Sequence, residues 1–279
     1  LFNQQLFTKL EELKPLFFNE TNASKKREYK NQIDELIRKI TNNNQNFDFE
    51  IYFSEVFHKK NGFDVVIGNP PWGGDLSEKE KAYFREKFQS AKGIIDTYAL
   101  FTEKAIVLLS KGGVFAFILP DIILLKNYPH IRRYILEATK ILSIAHWGQA
   151  FETASIDTAS LLLQKTDVAN KSYSVEVLRD FKEKDITSGV SLQIPIKIFW
   201  EEKDFRFNLY LDDTTYDLRK KLEAGNEQLN KLLGVHEGIH SGNMRNKLFL
   251  DECTSPNCKQ LIFGRDEIGR YFLRWGGKY

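Results

Sequence analysis

The chain has 279 residues, 42% of them hydrophobic and 13% aromatic, which excludes disorder and suffices for one large domain or two small ones. A net charge of +2 excludes a wholesale nucleic-acid coat but permits a local basic cleft. Two cysteines give no disulfide framework, no apolar run reaches membrane-span length and the first residues are not a signal peptide, so a reducing cytoplasm and no membrane are expected.

Residues 1–47 read as a polar helical hairpin. Phe7, Leu10, Leu13 and Phe17 form one apolar stripe, with Pro15 expected to kink or end it early. A turn-rich break at Asn19 to Ser24 follows, then a second stripe through Tyr29, Ile33, Ile37 and Ile40. Lys25-Lys26-Arg27 reads as a solvated face. Asp48 to Phe57 is an apolar approach segment.

Phe63-Asp64-Val65-Val66-Ile67-Gly68 reads as a fully buried strand, and Asn69-Pro70-Pro71-Trp72 stands at its end. Adjacent prolines cannot continue a strand. They hold the chain rigidly at the carboxyl edge of a sheet, where α/β folds place ligands. The Asn69 side-chain oxygen and the Pro70 carbonyl are two acceptors able to hold one –NH2, and Trp72 offers a flat stacking face. These residues describe a pocket for an exocyclic amine on a flat heterocycle.

Ser77 and Glu80 form a capping box that opens a helix to about Ser90. Asp96 to Ser110 is a second helix, with Asp96 as its N-cap and Tyr98 in the core. Lys111-Gly112-Gly113 ends it, and Val114 to Leu119 is a buried strand stopped by Pro120. That order makes a βαβ unit with a parallel sheet. A helix from Pro129 to about Ala138, a strand from Ile141 to Trp147, an antiparallel strand from Thr158 to Gln164 and a strand from Tyr173 to Leu178 follow. Residues 187–231 read as a linker, and 232–279 as the start of a β-rich domain. Cys253-x4-Cys258 fits no zinc spacing and the five histidines are scattered, so no metal is expected. Pro120-Asp121 faintly suggests a nuclease signature, but Pro120 is better explained as a strand terminator.

Asn69-Pro70-Pro71-Trp72, the helix opened by Asp96, the Lys111-Gly112-Gly113 turn and Pro120 resemble the gamma-class adenine-N6 DNA methyltransferases, in particular fused type IIG-like restriction–modification proteins. The match covers about Phe49 to Gln164. A looser one runs from Leu232, where Gly238-Ile239-His240-Ser241-Gly242-Asn243 and Gly264-Arg265-Asp266-Glu267-Ile268-Gly269-Arg270-Tyr271 are similar to the opening of that family's target-recognition domain. Ser241 stands where Thr is usual, and Glu267 is extra.

The resemblance implies an α/β fold: the C-terminal half of a Rossmann-like S-adenosylmethionine-dependent methyltransferase sheet over 48–186. It also implies transfer of a methyl group to a flipped-out adenine in double-stranded DNA. Asn69, Pro70, Pro71 and Trp72 would be catalytic, Trp72 and Phe151 would stack on the target base, and Phe101 and Pro71 would bind the cofactor. Arg265, Arg270 and Arg274 would contact DNA, with Asp266 structural. Read from the residues alone, Phe151 is equally a plug at the sheet end.

The family's Gly-rich cofactor turn is missing, since no glycine precedes Gly62. The chain is therefore expected to be an inactive piece of a longer protein, one with room for a nuclease domain and with a strand edge exposed to self-association or covered by residues 1–47. A protein-glutamine N5 methyltransferase and a non-catalytic DNA-recognition or scaffold piece are the competing readings. The additional domain from Leu232 and the ring of Phe151 favour DNA over a protein amide.

Overall fold

The computed structural model describes residues 2–41, 47–125, 127–150, 156–166, 172–182, 185, 187–234, 238–239, 244–264 and 267–279. The chain divides into two compact units, Leu1–Lys221 and Leu222–Tyr279.

The two apolar stripes of the amino-terminal segment require a hairpin and produce one. Helices α1 (Phe2–Asn19) and α2 (Ala23–Ile40) enclose Leu10, Leu13, Ile33, Leu36 and Ile37 in a small core of their own. Asn22 caps α2 by accepting the N–H groups of Ser24 and Lys25. Pro15 does not end α1, which runs on to Asn19. Burial of Leu10 and Leu13, in the turn before the missing donor, offsets its loss.

The approach segment is helical as well, as α3 (Phe49–Tyr52) and α4 (Ser54–Lys60). Lys14, only 4% exposed, joins it to the hairpin. Its ammonium donates to the carbonyls of Ile51 at 3.3 Å and Tyr52 at 2.7 Å and pairs with Glu55 at 2.5 Å.

The first unit is organised on a six-stranded sheet of order β1-β2-β4-β3-β5-β6. The strands are β1 (Phe63–Gly68), β2 (Leu109–Pro120), β3 (Thr139–Gly148), β4 (Thr158–Lys165), β5 (Ser174–Arg179) and β6 (Val190–Pro195). Strands β1, β2, β3 and β5 point one way, and β4 and β6 the other. The reversed β4 lies between β2 and β3 and pairs with both. Helices α5 (Glu78–Lys87) and α6 (Thr97–Leu108) link β1 to β2, and α7 (Pro129–Ala138) precedes β3. The capping box that starts α5 is complete.

Lys111-Gly112-Gly113 does not end the helix, as its sequence suggests, but lies inside β2. Helix α6 stops at Leu108, and the three residues loop out within β2, where the register steps from Phe63↔Leu109 to Val65↔Val114. Gly112 takes φ +78°, and a Cβ on Gly113 would lie 2.8 Å from the Phe63 carbonyl, so neither position accepts a side chain without strain.

Two further expectations are corrected. The run Phe63–Gly68 is not fully buried: β1 is an edge strand, with Val65 59% and Ile67 77% exposed. The segment 187–231 is not a linker over its first part. Strand β6 pairs with β5, α8 (Ile196–Glu201) buries Ile196, Ile198 and Phe199, and Phe207, Leu209 and Tyr216 join the same core. Its charges pair locally: Glu201 with Lys220 and the Tyr216 hydroxyl, Glu202 with Arg219. Helix α9 (Asp213–Glu223) supplies these partners.

The second unit is described by short elements: α10 (Leu229–Leu232), α11 (Arg245–Leu248) and the ribbon β7 (Ile268–Gly269) with β8 (Phe272–Leu273). Leu250 and Tyr279 exchange backbone hydrogen bonds of 2.6 and 2.8 Å. No helix among the described residues is long and apolar enough to cross a membrane.

Candidate functional site

Strand β1 delivers Asn69-Pro70-Pro71-Trp72 to the carboxyl edge of the sheet. Asn69 and Pro71 are exposed, Pro70 is buried, and Trp72 is half-buried against the main core. Prolines at 70 and 71 leave the loop without two of its own N–H donors, so its shape depends on what the neighbouring helix supplies.

That helix is α6. Asp96 occupies its N-cap position yet its side chain accepts none of the first backbone N–H groups of that helix. Its Oδ1 instead accepts the Gly73 N–H at 3.0 Å. The Thr97 hydroxyl donates to the Pro71 carbonyl at 2.7 Å and accepts the Gly74 N–H at 3.4 Å. A Cβ on Gly74 would come within 2.7 Å of the Thr97 methyl carbon, so the two segments are in close contact. The expected helix cap is thus a clamp on the loop after β1.

A cavity of about 580 Å³ opens beside Trp72. Trp72, Tyr98, Tyr128, Asp96, Asp121 and Asp157 are among its walls. The Tyr98 and Tyr128 rings meet edge to face with centroids 5.3 Å apart. Burial raises the ionisation of both phenols above the ordinary tyrosine value, and the Asp96 charge adds to it. The cavity has the size and mixed aromatic and polar lining of a site for a planar ring.

Asp121, His146 and Asp157 bring ligand-type atoms within 4.8 Å of one another, and His146 Nε2 lies 3.5 Å from Asp121 Oδ2. Sequence spacing hid this group, because its members follow β2, lie on β3 and precede β4.

The remaining expected site residues are dispersed. Phe101 lies on α6 and is 50% exposed. Phe151 falls outside the described residues, although Ile156 and Asp157, at the described end of its loop, border the cavity. In the second unit Arg265 and Asp266 are outside the described residues, as are His240 to Asn243. Arg270 is exposed with its guanidinium 5.4 Å from the Tyr271 ring centroid, and Arg274 is exposed with its backbone N–H on the Glu267 carbonyl at 2.8 Å. Glu267 closes a turn by accepting the Phe263 N–H at 2.9 Å. Asp96, Thr97, Tyr98, Tyr128, Asp121 and Asp157 are site residues that sequence reading did not place there. For Asp96 and Thr97 the available signal was the close approach that glycines at 73 and 74 permit.

Comparison with known proteins adds the following. Residues 3–153 match the family of Eco57I restriction-modification methylases. The chain is similar to the type II restriction enzyme and methyltransferase RM.Eco57I of Escherichia coli, at 28% identity over 64% of this chain and 19% of that protein. It is also similar to the type II methyltransferase M.VspI of Vibrio sp. (strain 343), at 25% identity over 43% of this chain and 29% of that protein. The chain thus spans under a third of the length of these two relatives. Among solved structures, the type IIG restriction endonuclease BpuSI aligns at 16% identity with a TM-score of 0.39, over 48% of this chain and 19% of that one.

Proposed function

The chain belongs to the Eco57I restriction-modification methylase family, and from that premise we propose that its first unit carries the acceptor side of a DNA adenine-N6 methyltransferase. The observation that carries this reading is Asn69-Pro70-Pro71-Trp72 leaving β1 with Trp72 in the wall of an aromatic cavity of about 580 Å³. Adenine leaves the DNA stack, at a cost of a few kcal/mol, and enters that cavity. Trp72 stacks on one face, and Phe151 is assigned to the other.

The Asn69 side-chain oxygen and the Pro70 carbonyl accept the two N6 hydrogens. Holding both hydrogens there draws the nitrogen lone pair out of conjugation with the ring. The work is orientation and electrostatics, and no strong base is required. S-adenosylmethionine, when bound, supplies an electrophilic methyl group. Phe101, half-exposed on α6, and the exposed Pro71 are assigned to the adenosyl group. Residues 1–61 contain no glycine and so contribute no Gly-rich turn. Arg265, Arg270 and Arg274 are assigned to the DNA backbone and base edges, and a nuclease domain in the same natural polypeptide fits this class.

The test is tritiated methyl transfer by the natural gene product to unmethylated duplex DNA, with a protein glutamine substrate in parallel. We expect label in adenine N6 only, lost in Asn69→Ala with DNA affinity retained. Label in the protein substrate, or full transfer by Asn69→Ala, would overturn the assignment.

A further inference from the structure

We propose that Asp96 and Thr97 are positioning residues that lock the loop after β1 in the shape its amine acceptors need; this rests on the amine-transfer reading above. Three hydrogen bonds cross from the loop to the first residues of α6: Gly73 N–H to Asp96 Oδ1 at 3.0 Å, Thr97 Oγ1 to the Pro71 carbonyl at 2.7 Å, and Gly74 N–H to Thr97 Oγ1 at 3.4 Å.

The pattern is more specific than a loop resting on a helix. Asp96 gives up the local capping bond that its position normally makes. Thr97 uses its hydroxyl as donor and acceptor at once, joining residues 71 and 74 through a single oxygen. The clamp also selects between carbonyls. Pro70 and Pro71 present successive carbonyl groups, and neither residue has an N–H to anchor its own backbone. Engaging the Pro71 carbonyl fixes the peptide plane between it and the next residue, and leaves the Pro70 carbonyl outside the clamp as the second acceptor.

The clamp is braced from behind. Asp96 shares the cavity wall with Tyr98 and Tyr128, and those two rings are packed together. The Asp96 carboxylate lies 3.3 Å from the Thr97 hydroxyl, a longer alternative to the Pro71 carbonyl for its single proton. Movement of the α6 N-terminus would therefore move the acceptors with it. A displacement near 1 Å at such a site costs on the order of 10²-fold in rate.

Amide hydrogen exchange tests the clamp on this chain without any reaction. We expect Thr97→Val and Asp96→Ala to speed exchange of the Gly73 and Gly74 amides by roughly tenfold. Exchange in β2 and β4 should stay unchanged, which separates the effect from misfolding. Thr97→Ser, which keeps the hydroxyl, should hold the protection of the parent chain.

In the natural gene product, Thr97→Val should lower kcat for methyl transfer to unmethylated duplex DNA by about 10- to 100-fold with KM for DNA unchanged, and Thr97→Ser should restore kcat. Parent-like exchange in Thr97→Val would overturn the clamp. Faster exchange with unchanged kcat, or equal loss in Thr97→Ser and Thr97→Val, would overturn its positioning role. Retained transfer by Asn69→Ala would instead defeat the amine reading and leave the exchange result standing.

Discussion

Arg132 is wholly buried on α7, and its Nε and Nη2 donate to the carbonyl of Asp204 at 3.2 and 3.0 Å. Its Nη1 donates to the Ile123 carbonyl at 2.8 Å. One guanidinium thus joins the turn after β2, the crossover helix and the chain after α8. Asp204 takes φ +58°, an uncommon left-handed conformation that turns its carbonyl toward this donor. Burial lowers the Arg132 guanidinium to about 10, so it remains charged at neutral pH.

Arg132→Met leaves two carbonyls without their donor and should destabilise the first unit by about 3 kcal/mol. Urea unfolding measures this. Lysine should not rescue, because a single ammonium cannot reproduce the planar fork. Limited proteolysis should then open the chain between β6 and α9 first.

Glu103 gives a second stability prediction. It is 5% exposed on α6, and its carboxylate accepts the N–H groups of Gln89 and Ser90 at 2.9 and 2.7 Å. Glu103→Ala removes both charge-assisted bonds and should cost about 2 to 3 kcal/mol. Hydrogen exchange should rise at Gln89 and Ser90, at the start of the loop that leads to Asp96.

The outer face of β1 predicts association. Val65 and Ile67 lie exposed on an edge strand with unpaired backbone groups. Sedimentation of this chain should give a mass that rises with concentration. Ile67→Lys should return it toward a monomer, because a charge on an edge strand opposes pairing. A concentration-independent monomer for the parent chain would contradict this.

Cys258 should be the more reactive thiol. Hydrogen bonding from the Ser255 side chain and backbone lowers it to about 7, from an ordinary value near 9. The lowered value means more thiolate in the folded chain. Iodoacetamide labelling of Cys258 should therefore climb as pH rises through 7 and level off above it. Ser255→Ala should move that climb to higher pH, and peptide mass mapping separates Cys258 from Cys253.

Buried tyrosines predict an alkaline limit. Desolvation raises Tyr134 to about 12. A raised value means that the neutral ring is favoured in the folded state. This contribution is complete below pH 10, the ordinary tyrosine value, and is lost as pH rises through about 12. Absorbance titration should show late phenolate formation that coincides with unfolding.

Features decided by near neighbours were legible in the sequence. The Ser77–Glu80 box, the exit of Asn69-Pro70-Pro71-Trp72 from a strand and the reversed strand after Trp147 are each set by a few adjacent residues. Features set by distant partners were not. Asp96 looked like a helix cap because capping is its usual local use, whereas its partner Gly73 lies 23 residues earlier. Glu201 to Asp204 looked like a linker because a run of mixed charge usually faces water. Their partners Tyr216 and Lys220 come later, and Arg132 lies 72 residues before Asp204. Full burial of β1 was read from its composition, but burial depends on what lies on each face of a sheet, and composition does not specify that.

The reversed β4 constrains how the chain can be synthesised and folded. Strands β2 and β3 run in the same direction with β4 between them, so they are about 9.6 Å apart rather than one hydrogen-bonded spacing. A nascent chain that has left the ribosome only as far as Gly148 holds two strands facing an empty lane. The sheet cannot close until Thr158–Lys165 emerges and fills that lane, pairing with both neighbours. Until then both strands expose unpaired edges, so a pause in translation before residue 158 would leave the nascent chain at its most aggregation-prone.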